Sequence, residues 1–159
     1  MKDERPSSAN LIARLAEFRY RLRIFLQFSE QAAIAAGLQP QQYQLLLQIA
    51  GAPAGAIPTI AYAAERLGLR HNSVVELTNR SVEEGLLERT SDATDARRVL
   101  LRVTSKGTRL LHKLAAHHRS ELEVMAPELI EALTRIEHWE QDHGTSASAA
   151  PRDLSRGTR

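Results

Sequence analysis

The period of the apolar residues changes twice between Ile57 and Val103, and few folds accommodate such a change. Ile57–Gly68, IPTIAYAAERLG, reads as a short extended piece running into a short helix, capped by Thr59 and turning Ala63, Ala64 and Leu67 inward. Gly68 breaks that helix. After a tight turn, Arg70–Glu84 (RHNSVVELTNRSVEE) repeats the helical spacing through Val74, Leu77 and Val82, and Gly85 supplies a left-handed end. The period then drops to two. Leu86–Thr90 and Val99–Val103 are β-compatible runs, the second with Val99, Leu101 and Val103 on one face and Leu100 and Arg102 opposite. They flank Ser91–Arg98, SDATDARR, and predict an antiparallel hairpin with a charged tip. Two short helices about a glycine turn, followed by a hairpin, predict a helix-turn-helix with a wing.

The flanks are helical. Asn10–Ala36 carries Leu11, Leu15, Phe18, Leu22 and Phe25 at alternating spacings of four and three, nearly a heptad seam. Such a helix packs on its own core or on a second subunit. Leu38–Gly51 (LQPQQYQLLLQIAG) places Pro40 in a first helical turn and Gly51 at the end, with Tyr43, Leu46, Leu47 and Ala50 as the expected buried face. From Thr104, a capping residue, another helix is seamed by Leu110, Leu111, Leu114 and Leu122, and Pro127 is expected to start a separate last helix through Leu129, Leu133 and Ile136. The fold class expected is mainly α with a small β-wing (α+β): an N-terminal tail over 1–9, a helix over 10–36, the winged region over 37–103, helices over 104–143 and a disordered tail over 144–159.

Composition narrows the function. The chain of 159 residues suits one domain, and 43% apolar with 25% charged residues is globular. It has no Cys, which removes disulfides and thiolate metal sites. No apolar run reaches membrane-spanning length and the N-terminus lacks a signal-peptide core, so a soluble cytoplasmic protein is expected, with no membrane partner. The formal charge of +2 resides in the tail 144–159, which holds three Arg and one Asp. A claim of nucleic-acid binding therefore rests on where charges sit rather than on their sum. No catalytic spacing or phosphate-cradling loop stands out, and no cofactor is expected.

Placed in a winged helix-turn-helix, the second helix of the pair enters a DNA major groove with its N-terminal side chains at base edges: Arg70, His71, Asn72 and Ser73. Asn72 suits adenine and Arg70 guanine, whereas Ser73, Thr78 and Arg80 suit phosphates. At the hairpin tip, Arg97 suits a narrow minor groove, and Asp95, two residues away, would hold its guanidinium ready. Arg98, Arg102 and Lys106 would meet the backbone on either side.

From Leu38 to Leu111 the chain resembles the MarR family of bacterial transcription regulators, through LQPQQYQLLLQIA, AERLGL, EEGLLER and above all DATDARRVLLRVTSKG, where an Asp and an Arg two apart precede a strand ending in Thr-x-x-Gly. The resemblance implies a homodimer formed by the terminal helices, a pseudo-palindromic site in double-stranded DNA, and often a small effector between the dimer and DNA-binding regions. It gives Arg97 the minor-groove role with Asp95 as its orienting partner. The chain departs from the family pattern at Arg70 (a capping Ser is usual), Glu76 (often basic), Ser81 (usually a core Leu) and Ala96 (usually the first Arg of a pair). The function expected is a DNA-binding regulator, a repressor relieved by a small molecule. The alternatives are a winged-helix module that binds protein, and a zinc-responsive regulator.

Tyr20, Arg23 and Phe28 are the candidate effector contacts, with core packing as their other reading. The histidines His112, His117 and His118, and the pair His138 and Asp142 at i,i+4, have residue types that bind zinc, yet the same positions suit amphipathic helix surfaces, and no metal site is assigned.

Overall fold

A computed structural model describes residues 8–143 except 93, 94, 96 and 97, together with the side chains of residues 11–136 among them. The elements run α1 (Ser8–Ala35), α2 (Pro40–Ala50), α3 (Ile60–Leu67), α4 (His71–Glu83), β1 (Leu87–Ser91), β2 (Val99–Val103) and α5 (Ser105–His143). The order matches the mainly α architecture with a small two-stranded wing. The chain divides into two compact units, Phe25–Val124 and the paired chain ends up to Ile24 and from Met125.

In the central unit the core gathers around α2. Its buried residues are Gln42, Tyr43, Leu45, Leu46 and Ile49, whereas Leu47 is 39% exposed and Ala50 is also exposed. This corrects the expected face of Tyr43, Leu46, Leu47 and Ala50. Three consecutive leucines satisfy a helical period in more than one rotation, and packing of α2 against α3, α4 and β2 selects the one that buries Leu45. Pro40 occupies the first turn, and the side chain of Gln42 returns to accept from the backbone N–H of Gln39 at 3.1 Å. Val74 and Leu77 of α4, Leu86, Leu87 and Leu101 of the wing base, and Leu111 and Leu114 of α5 complete the core.

The hairpin is antiparallel, with Leu87 opposite Val103 and Ser91 opposite Val99. Its first strand begins at Leu87, one residue later than expected, because the backbone of Leu86 turns away from the ladder: Leu86 N–H donates to Ser81 O at 2.8 Å and its carbonyl accepts from Thr104 N–H at 3.0 Å. The extended piece before α3 joins the wing through the backbone bond from Leu101 N–H to Pro58 O at 2.7 Å.

Two expectations for the flanks change. Pro127 does not start a separate helix but lies inside α5, a single helix of 39 residues. A proline forfeits one backbone bond and crowds the preceding turn, a local penalty that a long helix with many other bonds absorbs. Along α1, Leu15 and Leu22 are exposed at 42% and 38%, so the seam is only partly covered within the chain. In the unit of chain ends, Met125 and Ala132 are buried, Arg21 pairs with Glu17 at 2.6 Å and also with Glu128, and Arg14 donates to the carbonyl of Arg135. Among the described residues no helix is long and apolar enough to cross a membrane.

Candidate nucleic-acid interface

The turn before α4 sets the geometry of this face. Thr59 caps α3 by accepting from Tyr62 N–H at 3.2 Å. Gly68 ends the helix at φ +64°, a left-handed conformation that costs an ordinary L-residue about 1 kcal/mol or more. Leu69 N–H then returns to Ala64 O at 3.1 Å, and the chain re-enters a helix at once. Arg70 is the N-cap residue of α4, extended at φ −68° and ψ 147°, and its side chain makes no capping bond. It is therefore displayed to solvent rather than used to end the helix.

Val74, Leu77, Thr78 and Ser81 anchor α4, while His71, Asn72, Ser73, Glu76, Asn79 and Arg80 are exposed on the other side. Arg70, His71, Asn72, Ser73 and Arg80 thus lie on accessible surface as the sequence predicts. Thr78 does not. It has no exposed surface, and its hydroxyl has no hydrogen-bond partner among the described residues. The helical period places 78 directly after the anchor Leu77 and four residues after Val74, so the position turns inward with them. Ser81, where a larger apolar side chain is usual in the resemblance, is fully buried and donates to Leu77 O at 2.9 Å. The helix keeps its close approach and satisfies the hydroxyl through its own backbone.

At the wing tip, Asp92 N–H donates to Arg98 O at 3.1 Å and Arg98 N–H to Asp95 O at 2.9 Å, which closes the loop. The Arg98 side chain lies 3.4 Å from the Asp95 carboxylate and 3.9 Å from that of Asp92. Arg98, expected beside a DNA backbone, is thus also an internal tie of the tip. Arg97 lies outside the described residues. Lys106 donates its ammonium to Glu84 O at 2.8 Å, at the carbonyl end of α4. A cation there complements the last carbonyls of the helix and joins α4 to the start of α5. Arg89, on β1, was not singled out by sequence reasoning, yet it donates to Asn79 Oδ1 at 2.6 Å and braces the wing against α4. Only the fold brings those two positions together, so no local pattern announces them.

Of the candidate effector residues, Tyr20 and Arg23 are exposed in the unit of chain ends. Phe28 belongs to the central unit and is packed by rings: His117 at 5.0 Å and His118 at 5.6 Å between centroids. His118 is buried. Its Nδ1 lies 2.6 Å from Leu114 O, which can only accept, so Nδ1 carries a proton; Nε2 lies 2.8 Å from Ser29 Oγ, and the ring stacks on Tyr43 at 5.3 Å. This histidine ties α1, α2 and α5 together. Burial raises the Tyr43 hydroxyl above its ordinary pKa. Among the described residues no three potential metal ligands cluster, and His138 and Asp142 lie outside the described side chains.

A helix pair meeting at a left-handed glycine, an exposed helix N-terminus and a braced hairpin define a winged helix-turn-helix. Residues 36–98 match the sequence model of the MarR family. The chain is similar to a putative transcriptional regulatory protein for the hcr operon of Thauera aromatica, 27% identical over 140 residues, covering 88% of this chain and 69% of that protein. Its fold is similar to that of CouR from Rhodococcus jostii bound to p-coumaroyl-CoA, with a TM-score of 0.56 and 22% identity over 82% of this chain and 92% of that one. It is also similar to an S. aureus MepR variant bound to an oligodeoxyribonucleotide, with a TM-score of 0.56 and 20% identity over 80% and 88% of the two chains. The winged helix-turn-helix region, residues 36–98, thus carries the sequence pattern of the MarR family.

Proposed function

We propose that the protein is a sequence-specific DNA-binding repressor that acts as a homodimer on a pseudo-palindromic operator and is relieved by a small-molecule effector. The observation that carries this reading is the start of α4, where Arg70, His71, Asn72 and Ser73 are all exposed on a helix anchored from behind by Val74 and Leu77. Those side chains are free to approach base edges without unpacking the core. Arg80 takes a phosphate, Lys106 and Arg98 approach the backbone beside their internal partners, and Arg97 enters the minor groove next to Asp95. The MepR complex with an oligodeoxyribonucleotide and the CouR complex with p-coumaroyl-CoA are precedents for the two kinds of ligand on this fold.

The homodimer draws support from apolar surface on the terminal helices. Ile12, Leu22, Ile130 and Leu133 are exposed at 67%, 38%, 63% and 53%, apolar side chains on both terminal helices that a second copy would cover. Tyr20, Arg23 and Phe28 are retained as candidate effector contacts of the assembled dimer.

The test is selection of DNA fragments by the purified protein, followed by fluorescence anisotropy on the recovered sequence. Arg97→Ala should lose about 1–3 kcal/mol of binding, and the wild-type affinity should fall steeply with salt as phosphate contacts release counterions. Recovery of no common sequence would refute the sequence-specific reading, and unchanged affinity of Arg97→Ala would refute the wing-tip role.

A further inference from the structure

An open cleft of about 500 Å³ lies between the start of α2 and the second half of α4, lined by Gln39, Pro40, Gln41, Gln42, Leu77 and Arg80. Gln42 distinguishes it. The residue is 2% exposed, yet its amide is only half satisfied. Oε1 accepts from Gln39 N–H at 3.1 Å. A backbone N–H can only donate, so the other end of the amide is the NH₂ group. That nitrogen has no hydrogen-bond partner among the described residues. Nor is it sealed in the core, since Thr78 Oγ1 is the one enclosed side-chain atom without a partner among the described residues. A buried amide held by its oxygen thus presents a spare donor to the cleft. Pro40 has no N–H, and the N–H of Gln41, in the same first turn, has no acceptor within its helix. Arg80 stands exposed at the rim, on the same side of α4 as Ser73 two turns away. Glu76 and Glu84, four residues either side of Arg80, do not line the cleft. An exposed arginine alone would mark nothing; the buried donor that shares its cleft does.

We infer that this cleft seats one phosphate of the DNA backbone, with the Gln42 amide and the Gln41 N–H as donors and Arg80 as the closing cation. The inference rests on the DNA-binding reading above and adds Gln42 to it as a positioning residue. Donors at a helix N-terminus suit an anion, because unpaired N–H groups and the helix dipole both favour negative charge there. Contacts to phosphate fix the register and orientation of a protein on the duplex and carry no sequence information. The Gln42 side chain is already immobilised by its bond to Gln39, so it loses little rotamer freedom on engaging a phosphate, unlike a long exposed arginine. α2 also packs on α3, α4 and β2. A phosphate held at its first turn therefore holds the recognition helix and the wing at one height over the grooves.

The experiment is fluorescence anisotropy of the full chain on the selected operator and on a random duplex, comparing wild type with Gln42→Glu. Glutamate keeps an oxygen for Gln39 N–H, as capping boxes do, and exchanges the donor for an anionic oxygen that repels phosphate. Affinity for both duplexes should fall by about tenfold or more and by a similar factor, so that the ratio between them is kept. Gln44→Glu makes the same charge change on α2 outside the cleft, and should stay within about twofold of wild type at physiological salt. A neutral methylphosphonate is then placed at each operator position in turn. At one position in each half-site it should weaken wild type and leave Gln42→Glu unaffected. If the thermal midpoint shows Gln42→Glu unfolded, the wild type decides: in isotope-labelled protein the NMR signals of the Gln42 NH₂ group should shift on addition of DNA. A Gln42→Glu chain that binds like wild type, a loss equalled by Gln44→Glu, a loss that is the same at every methylphosphonate position, or NH₂ signals unmoved by saturating DNA would each overturn the contact and leave DNA binding standing. Wild type with no affinity for either duplex would overturn both.

Discussion

Gly107 is the residue whose replacement by Ala should hurt most for its size. It lies in the first turn of α5, and a Cβ built on it would meet Leu86 O at 2.6 Å and Val103 Cγ1 at 2.7 Å. The carbonyl cannot simply retreat. Leu86 O already accepts from Thr104 N–H at 3.0 Å, the Thr104 hydroxyl donates to the adjacent Gly85 O at 2.7 Å, and Gly107 N–H is itself bonded to Thr104 Oγ1 at 3.2 Å. The added methyl must push the start of α5 away from the wing base and stretch those bonds. Overpacking of this kind costs about 1–3 kcal/mol. The better helix propensity of Ala offsets up to about 1 kcal/mol of it. The net expectation is a loss of about 1–2 kcal/mol, read as a drop of roughly 0.5–1 M in the urea midpoint for a slope near 2 kcal/mol/M. Wild type and variant are compared at equal protein concentration, because association of subunits shifts the midpoint. Adding Val103→Ala removes one of the two clashes, so the double variant should lose less than the sum of the singles. A Gly107→Ala chain as stable as wild type, with an unchanged slope, would refute the claim that this contact fixes the wing to α5.

Three further expectations concern the core. Thr78→Val replaces a buried hydroxyl that has no partner among the described residues, and should stabilise the fold by about 1 kcal/mol in urea unfolding. Ser29→Ala leaves His118 Nε2 without its 2.8 Å partner in a buried place, and should cost about 1–3 kcal/mol. Burial raises the Tyr43 pKa, so the neutral hydroxyl is favoured in the folded state; that contribution is fully present below the ordinary value of 10.0 and is lost as pH rises through the higher folded value. Urea midpoints measured across this alkaline range should fall less in Tyr43→Phe than in wild type, and parallel curves would count against it.

Much of the candidate interface was legible because its signals are local. Thr59, Gly68 and Gly85 mark helix ends whatever surrounds them, and the alternation in Val99–Val103 is a strand pattern in a window of five. The exposed set from Arg70 to Ser73 follows from the position of the turn alone. The hydroxyl of Thr78 suits a phosphate, but the helical phase set by Val74 and Leu77 puts that position inside. The buried face of α2 lies in a leucine run whose periodicity admits several rotations. The Arg89–Asn79 brace, the Lys106 bond to the end of α4 and the cleft between α2 and α4 bring together residues of separate elements, so nothing in their immediate neighbours announces them.

The amino-acid sequence by itself determined the element order through the wing, the glycine turn and the hairpin, because helix ends, turn conformations and apolar periods act within a few residues along the chain. Tertiary structure alone decided which side of α2 is core, that Arg89 braces the wing against Asn79 of α4, and that Pro127 sits inside a continuous helix. Each of these depends on what a side chain or a turn of helix meets from elsewhere in the chain. A clash, a lost hydrogen bond or a buried charge is settled by distances across the fold, and those distances exist only once the elements have packed.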